Sequence, residues 1–190
     1  MKLINSRCTP RSLLIRTVFL CIIGGLLTAC DGNTELMKHT LAGDPDAVQT
    51  ELENGANVDD RNSYGWTALT HAARQDQTAT MAVLLDAGAD INTQDEDGWT
   101  PLLRAASKDN TAAMKLLLQR KANLELTDTN GWTPLMWATN RGHMKSVKIL
   151  ITGGANVNVK ARDGRTAIFL ARNEGHNEIM DELKRAGAKY

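Results

Sequence analysis

Cysteine is scarce in this chain, with only Cys8, Cys21 and Cys30 in 190 residues. Two of the three fall in an N-terminal stretch that reads as a leader. A chain cut before Cys30 keeps one cysteine and can form no intramolecular disulfide. Aromatic residues are few (Trp 4, Tyr 2, Phe 2), so a core must come from Leu, Ile, Val, Met and Ala. No apolar run is long enough to span a membrane comfortably. Thr17 to Ala29 holds thirteen uncharged residues, against the roughly 20 that a transmembrane helix needs. Basic excess is missing too. The formal charge is zero, and without Lys2, Arg7, Arg11 and Arg16 of the leader the acids outnumber the bases by four. That balance argues against nucleic-acid binding, which needs a basic face. Nucleophiles are equally thin. Ser63, Ser107 and Ser146 are the serines beyond the leader, and none has a Gly-x-Ser-x-Gly setting. We therefore expect no catalysis, no cofactor, no metal and no small-molecule substrate.

What is present begins with residues 1–29. They carry four basic residues and no acid, then a short apolar run, then Leu27-Thr28-Ala29-Cys30. A basic start, a short apolar middle and a small-residue end describe an export signal. The last four residues resemble the lipobox of bacterial lipoproteins. The resemblance implies cleavage before Cys30, which becomes the lipid-attachment residue. An ordinary signal with a chance cysteine and a signal anchor are the alternatives. Asp31 resembles the residue that retains lipoproteins in the inner membrane of enteric bacteria. The expectation is a lipid-anchored, periplasm-facing protein of the bacterial envelope, in the inner rather than the outer membrane. Residues 30–33 are expected to form a short tether, roughly 14 Å when extended, with the first helix starting near Thr34.

Beyond the leader the chain repeats. "GWTALTHAA" from Gly65, "GWTPLLRAA" from Gly98, "GWTPLMWAT" from Gly131 and "GRTAIFLAR" from Gly164 are spaced by 33 residues, and a degenerate "GNTELMKHT" opens at Gly32. A second marker, at Gly55, Gly88, Lys121, Gly154 and Gly187, keeps the same step. Within a unit, a threonine such as Thr100 can cap a helix with its hydroxyl. Pro101 and Pro134 fit the first helical turn, where a missing N–H costs nothing. Apolar residues at helical spacing follow, and a glycine closes a second helix in the left-handed conformation. Asp44 before Pro45 caps the second helix of the first unit. One unit cannot bury its own face, so the units must stack. The polar first and last units predict a closed stack.

The two blocks and their period make the chain similar to ankyrin-repeat proteins. The resemblance implies an all-α solenoid of about five helix–turn–helix repeats with projecting loops. The domain spans residues 34–190, with repeats near 32–64, 65–97, 98–130, 131–163 and 164–190. Three features depart from the family pattern. Its Thr-Pro-Leu-His histidine is replaced by Thr70, Leu103, Met136 and Phe169. Lys121 stands where a glycine normally ends the helix. Asp76-Gln77 and Asp109-Asn110 replace the later Gly-His pair, which survives as Gly142-His143 and Gly175-His176.

The remaining histidines, His39, His71, His143 and His176, fall one per repeat. Equivalent positions lie about 8–10 Å apart in stacked helices, too far to share a zinc ion with ligand bonds near 2 Å. His143 and His176 therefore read as loop braces. Trp66, Trp99 and Trp132 hold one position in three successive repeats, with Arg165 in the fourth. The family's geometry puts that position on the concave side at the base of the loops. The row is either a partner-binding stripe, since Trp and Arg dominate binding hot spots, or packing against neighbouring loops. Trp137, on a first helix, reads as packing. Loop tips run from acidic (Asp59, Asp60, Asp95, Glu96, Asp97) to basic (Lys160, Arg162, Arg165), a pattern that would steer a partner of opposite polarity. The expected function is a monomeric, non-catalytic interaction module for a membrane-proximal protein, an adaptor or protective partner. The competing role is immunity against a toxin delivered to the periplasm, such as a secreted lipase.

Overall fold

The computed structural model describes residues 31–189. Cys30 and the leader lie outside the described residues. Among the described residues ten helices run in pairs: α1 (Glu35–Ala42) and α2 (Pro45–Glu53), α3 (Ala68–Arg74) and α4 (Thr78–Asp86), α5 (Pro101–Ser107) and α6 (Thr111–Gln119), α7 (Pro134–Asn140) and α8 (Met144–Thr152), α9 (Ala167–Asn173) and α10 (Asn177–Arg185). The odd helices pack on one another in chain order, and the even helices form a second layer beside them. Among the described residues no helix is long and apolar enough to cross a membrane.

Local chemistry sets the boundaries. Thr34, Thr67, Thr100, Thr133 and Thr166 each cap an odd helix, the hydroxyl accepting from the N–H three residues on. These helices hold only seven or eight residues, too short to persist alone in water. Their stability comes from burial. Leu69, Leu102, Leu135 and Ile168 repeat one core position, and Met81, Met114, Val147 and Leu150 fill the space between the layers. The core is aliphatic, as the shortage of aromatic residues requires, with a single buried indole, Trp132, at its edge. In the second repeat the missing histidine is replaced by a contact between the Thr67 and Thr70 hydroxyls at 3.2 Å.

The irregular helix ends of the sequence have specific solutions. Lys121 takes the left-handed conformation (φ 64°), as do Asp76 and Asp109 (φ 59° each). The two aspartates do more than turn the chain. Asp76 Oδ1 accepts from the Ala113 N–H at 2.7 Å, and Asp109 Oδ1 from the Ser146 N–H at 3.2 Å and its hydroxyl at 2.6 Å. Those N–H groups belong to the first turns of α6 and α8, whose own N-cap residues make no side-chain cap. Each helix is thus capped by a carboxylate from the preceding repeat, where negative charge also complements the helix dipole. Asn110 donates to the Ala73 and Arg74 carbonyls. His143 and His176 meet the equivalent carbonyls of Ser107 and Asn140 at 3.2 and 3.3 Å. They brace neighbouring repeats, as expected.

The expected tether needs correction. Asp31, Gly32 and Asn33 are docked on the loop of Asn62 and Ser63 that leads into the second repeat, and form no free arm. The Asp31 carbonyl accepts from the Ser63 N–H (3.0 Å) and hydroxyl (2.7 Å), and Asn33 Oδ1 accepts from Asn62 Nδ2 at 2.8 Å. The reason is periodicity: these residues stand one period before Tyr64, Gly65 and Trp66 and complete the same loop.

Candidate protein interface

The loops that precede the odd helices are built on one residue per repeat. Asn62, Asp95 and Asp128 are buried, and each backbone N–H donates across the turn to the carbonyl of the tryptophan four residues on. One side-chain oxygen accepts two backbone N–H groups, that of the second residue on and that of the same tryptophan, at 2.8–3.0 Å. The other end of the side chain reaches nine residues ahead, to the odd helix of its own loop. Asn62 Nδ2 lies 3.3 Å from His71 Nε2, Asp95 Oδ2 accepts from the Arg104 guanidinium at 2.5 Å, and Asp128 Oδ2 accepts from the Trp137 indole N–H at 3.1 Å. The fourth loop has Ala161 there, and Asp163 Oδ1 accepts from the Arg165 N–H in its place.

His71, Arg104 and Trp137 are spaced by the same period as the tryptophans, and two of them fall between successive indoles. The Arg104 guanidinium lies 4.3 Å from the Trp66 ring centroid and 4.4 Å from that of Trp99. Trp137 lies 4.6 Å from Trp99 and 4.8 Å from Trp132. Arg165 covers the far side of Trp132 at 5.2 Å, and His71 packs on Trp66 at 5.0 Å. The result is one unbroken column: His71, Trp66, Arg104, Trp99, Trp137, Trp132, Arg165. Cation–π and tilted ring contacts of this kind each add about 0.5–1.5 kcal/mol.

The sequence placed Trp66, Trp99, Trp132 and Arg165 in a row, and they stand in one. It missed that the gaps are filled. Arg104 and Trp137 were legible by period, one register over, but were not read as members of the face. The indoles therefore pack against neighbouring repeats and also border solvent: Trp66 and Trp99 are half-buried, whereas Trp132 is 8% exposed.

The column's two ends differ electrostatically. At the Trp66 end, a groove of about 510 Å³ is lined by Tyr64, Trp66, Arg104, Asp31, Glu96 and Asp97, among others. At the Arg165 end, one of about 400 Å³ is lined by Trp132, Trp137, Arg162, Asp163 and Arg165. There Asp163 is held below the ordinary carboxylate range, first by its hydrogen bond with Arg165. His71 is pushed down to about 4, mainly by burial and then by the charge of Arg74. It is neutral at physiological pH, consistent with Nε2 accepting from Asn62. Among the described residues no three His, Cys, Asp or Glu side chains gather as a metal site would require.

The family model for ankyrin repeats (3 copies) matches residues 14–95, 83–161 and 113–190. The chain belongs to the ankyrin-repeat family, and its repeats form a protein–protein interaction module. No curated protein matches it.

Proposed function

We propose that this protein is a lipid-anchored interaction module of the bacterial envelope, tethered through Cys30 and facing the periplasm. It would act as an adaptor or protective partner of a membrane-proximal protein, without catalysis. The observation that carries the binding role is the column from Trp66 to Arg165, which lays indole and guanidinium edges along one face. Such groups concentrate binding energy because they bury large rigid surfaces at little entropic cost. The anchoring rests on the lipobox resemblance of Leu27 to Cys30 and on Asp31 as the inner-membrane signal. Because Asp31 is docked on Ser63, the anchor would follow the fold with almost no intervening chain and hold the first repeat against the bilayer. Two acyl groups or more make such an anchor stable.

Two measurements test this. Metabolic labelling with a clickable fatty acid should mark the wild type and leave Cys30→Ala unlabelled; equal labelling rejects the anchor. Affinity capture from solubilised envelopes should yield a partner that Trp99→Ala or Arg165→Ala releases. Capture unchanged in both rejects the column as the binding face.

A further inference from the structure

We infer that the groove at the Trp66 end receives an arginine side chain from the partner protein. This rests on the concave-face reading and adds to it the chemistry of the bound segment. Tyr64 is the starting point. Its register holds Asp31, Asp97, Asn130 and Asp163 in the other repeats, and Asp31 and Asp163 use the side chain to bind a loop N–H. Tyr64 cannot make that bond, and Asn62 Oδ1 accepts from the Trp66 N–H instead. The tyrosine is 61% exposed, the most exposed large hydrophobic side chain among the described residues. The fold gains no core from it.

Around this ring the charge is negative and available. The carboxylates of Glu96 and Asp97 make no hydrogen bond or ion pair with the other described residues, and the Asp31 carboxylate binds only Asn33. Two cations at this end pack on the Trp66 ring and make no ion pair with these acids. Arg104 is paired with Asp95 and held between two indoles, and Arg74 lies 5.6 Å from the Trp66 ring. His71 is neutral. An exposed aromatic ring beside two free carboxylates suits a planar guanidinium, which stacks on the ring and donates in pairs to the acids. The column already contains that pairing internally, with Arg104 stacked on Trp66 and bonded to Asp95. A groove of about 510 Å³ lies in the range of sites that enclose a small ligand, so one arginine and its flanking backbone fit. An ammonium would pair with the acids but lacks the planar stack, so lysine should bind less well.

The probe is an acetylated Gly-Gly-Arg-Gly-Gly amide, titrated into the ¹⁵N-labelled full chain in detergent. Its twin carries citrulline, which has the same shape without the charge. The expected result is saturable shifts at the Tyr64, Glu96 and Asp97 amides, at least about tenfold weaker with citrulline. Tyr64→Ala and the double variant Glu96→Gln/Asp97→Asn should lose the response, and Tyr64→Phe should keep it. All four side-chain changes are at exposed positions, and an unchanged spectrum elsewhere shows that the fold persists. Equal shifts with both peptides, or a response retained in the Glu96→Gln/Asp97→Asn variant, overturn the inference. The envelope partner separates this from the broader reading. A partner captured normally by Tyr64→Ala but lost by Trp99→Ala sinks the arginine groove alone. A partner lost by neither sinks the concave face with it.

Discussion

Asn62–His71, Asp95–Arg104 and Asp128–Trp137 are one interaction made three times with different chemistry. The first joins an amide to a neutral imidazole, the second a carboxylate to a guanidinium, the third a carboxylate to an indole N–H. Their geometry is shared because one turn is repeated every 33 residues. Their consequences differ. The Asp128 pair sits beside a buried indole, the Asp95 pair carries a charge into a side chain 1% exposed, and the Asn62 pair borders the groove with an uncharged histidine. Repetition thus fixes where a side chain lies, while its chemical type decides what removing or charging it costs.

The comparison can be broken first at its buried end. Trp132→Ala removes an almost fully buried ring, and urea melts should show about 4 kcal/mol lost. Trp66→Ala, on a half-buried ring, should cost clearly less. Equal losses would mean that the two ends of the column pack alike. Next is the charged pair. Arg104→Ala leaves Asp95 buried without its cation and should cost about 3 kcal/mol. Adding Asp95→Asn should restore part of that, because the amide needs no counterion. A double variant no more stable than the single would show that the ring contacts, and not the charge, dominate.

The neutral pair is the place to use pH. His71 has its folded value lowered to about 4 from 6.5, so between those values the unfolded chain binds the extra proton. Its contribution is complete above 6.5 and is lost as pH falls toward 4, by about 2 kcal/mol at pH 5. Protonation would also set Nε2–H against Asn62 Nδ2, whose amide cannot turn because Oδ1 holds two backbone N–H groups. Melts at pH 7 and pH 5 should show this extra loss in the wild type and not in His71→Leu; parallel curves would remove His71 from the account. The smallest effect concerns a turn outside the column. Lys121→Gly relieves a left-handed lysine (φ 64°) and should raise stability by about 0.5–1 kcal/mol. No gain would mean that the Lys121 side chain offsets its backbone strain.

The threonine caps and the left-handed Lys121 were legible because each depends on residues within a few positions of each other, whereas the brace histidines, whose partner carbonyls lie 36 residues back, were legible only through their recurrence at the repeat period. The row of Trp66, Trp99, Trp132 and Arg165 was legible through the same period. The capping of α6 and α8 by Asp76 and Asp109 was not. Each link spans 37 residues, one period plus a turn, and the aspartates looked only like lost glycines. The docking of residues 31–33 was hidden in the same way, by partners about 30 residues ahead, at Asn62 and Ser63. In the column, nothing local marks Arg104, because the two rings it packs on belong to different repeats.

By itself the sequence determined that this chain is an aliphatic stack of 33-residue helical pairs, because capping, helix termination and hydrophobic spacing are local and each repeat states them anew. Tertiary structure decided what the face that carries the column is made of. Stacking sets the Arg104 and Trp137 side chains between indoles that are neighbours only across repeats. It also leaves Tyr64 exposed beside two free carboxylates, since nothing in its own repeat gives that ring a place to be buried.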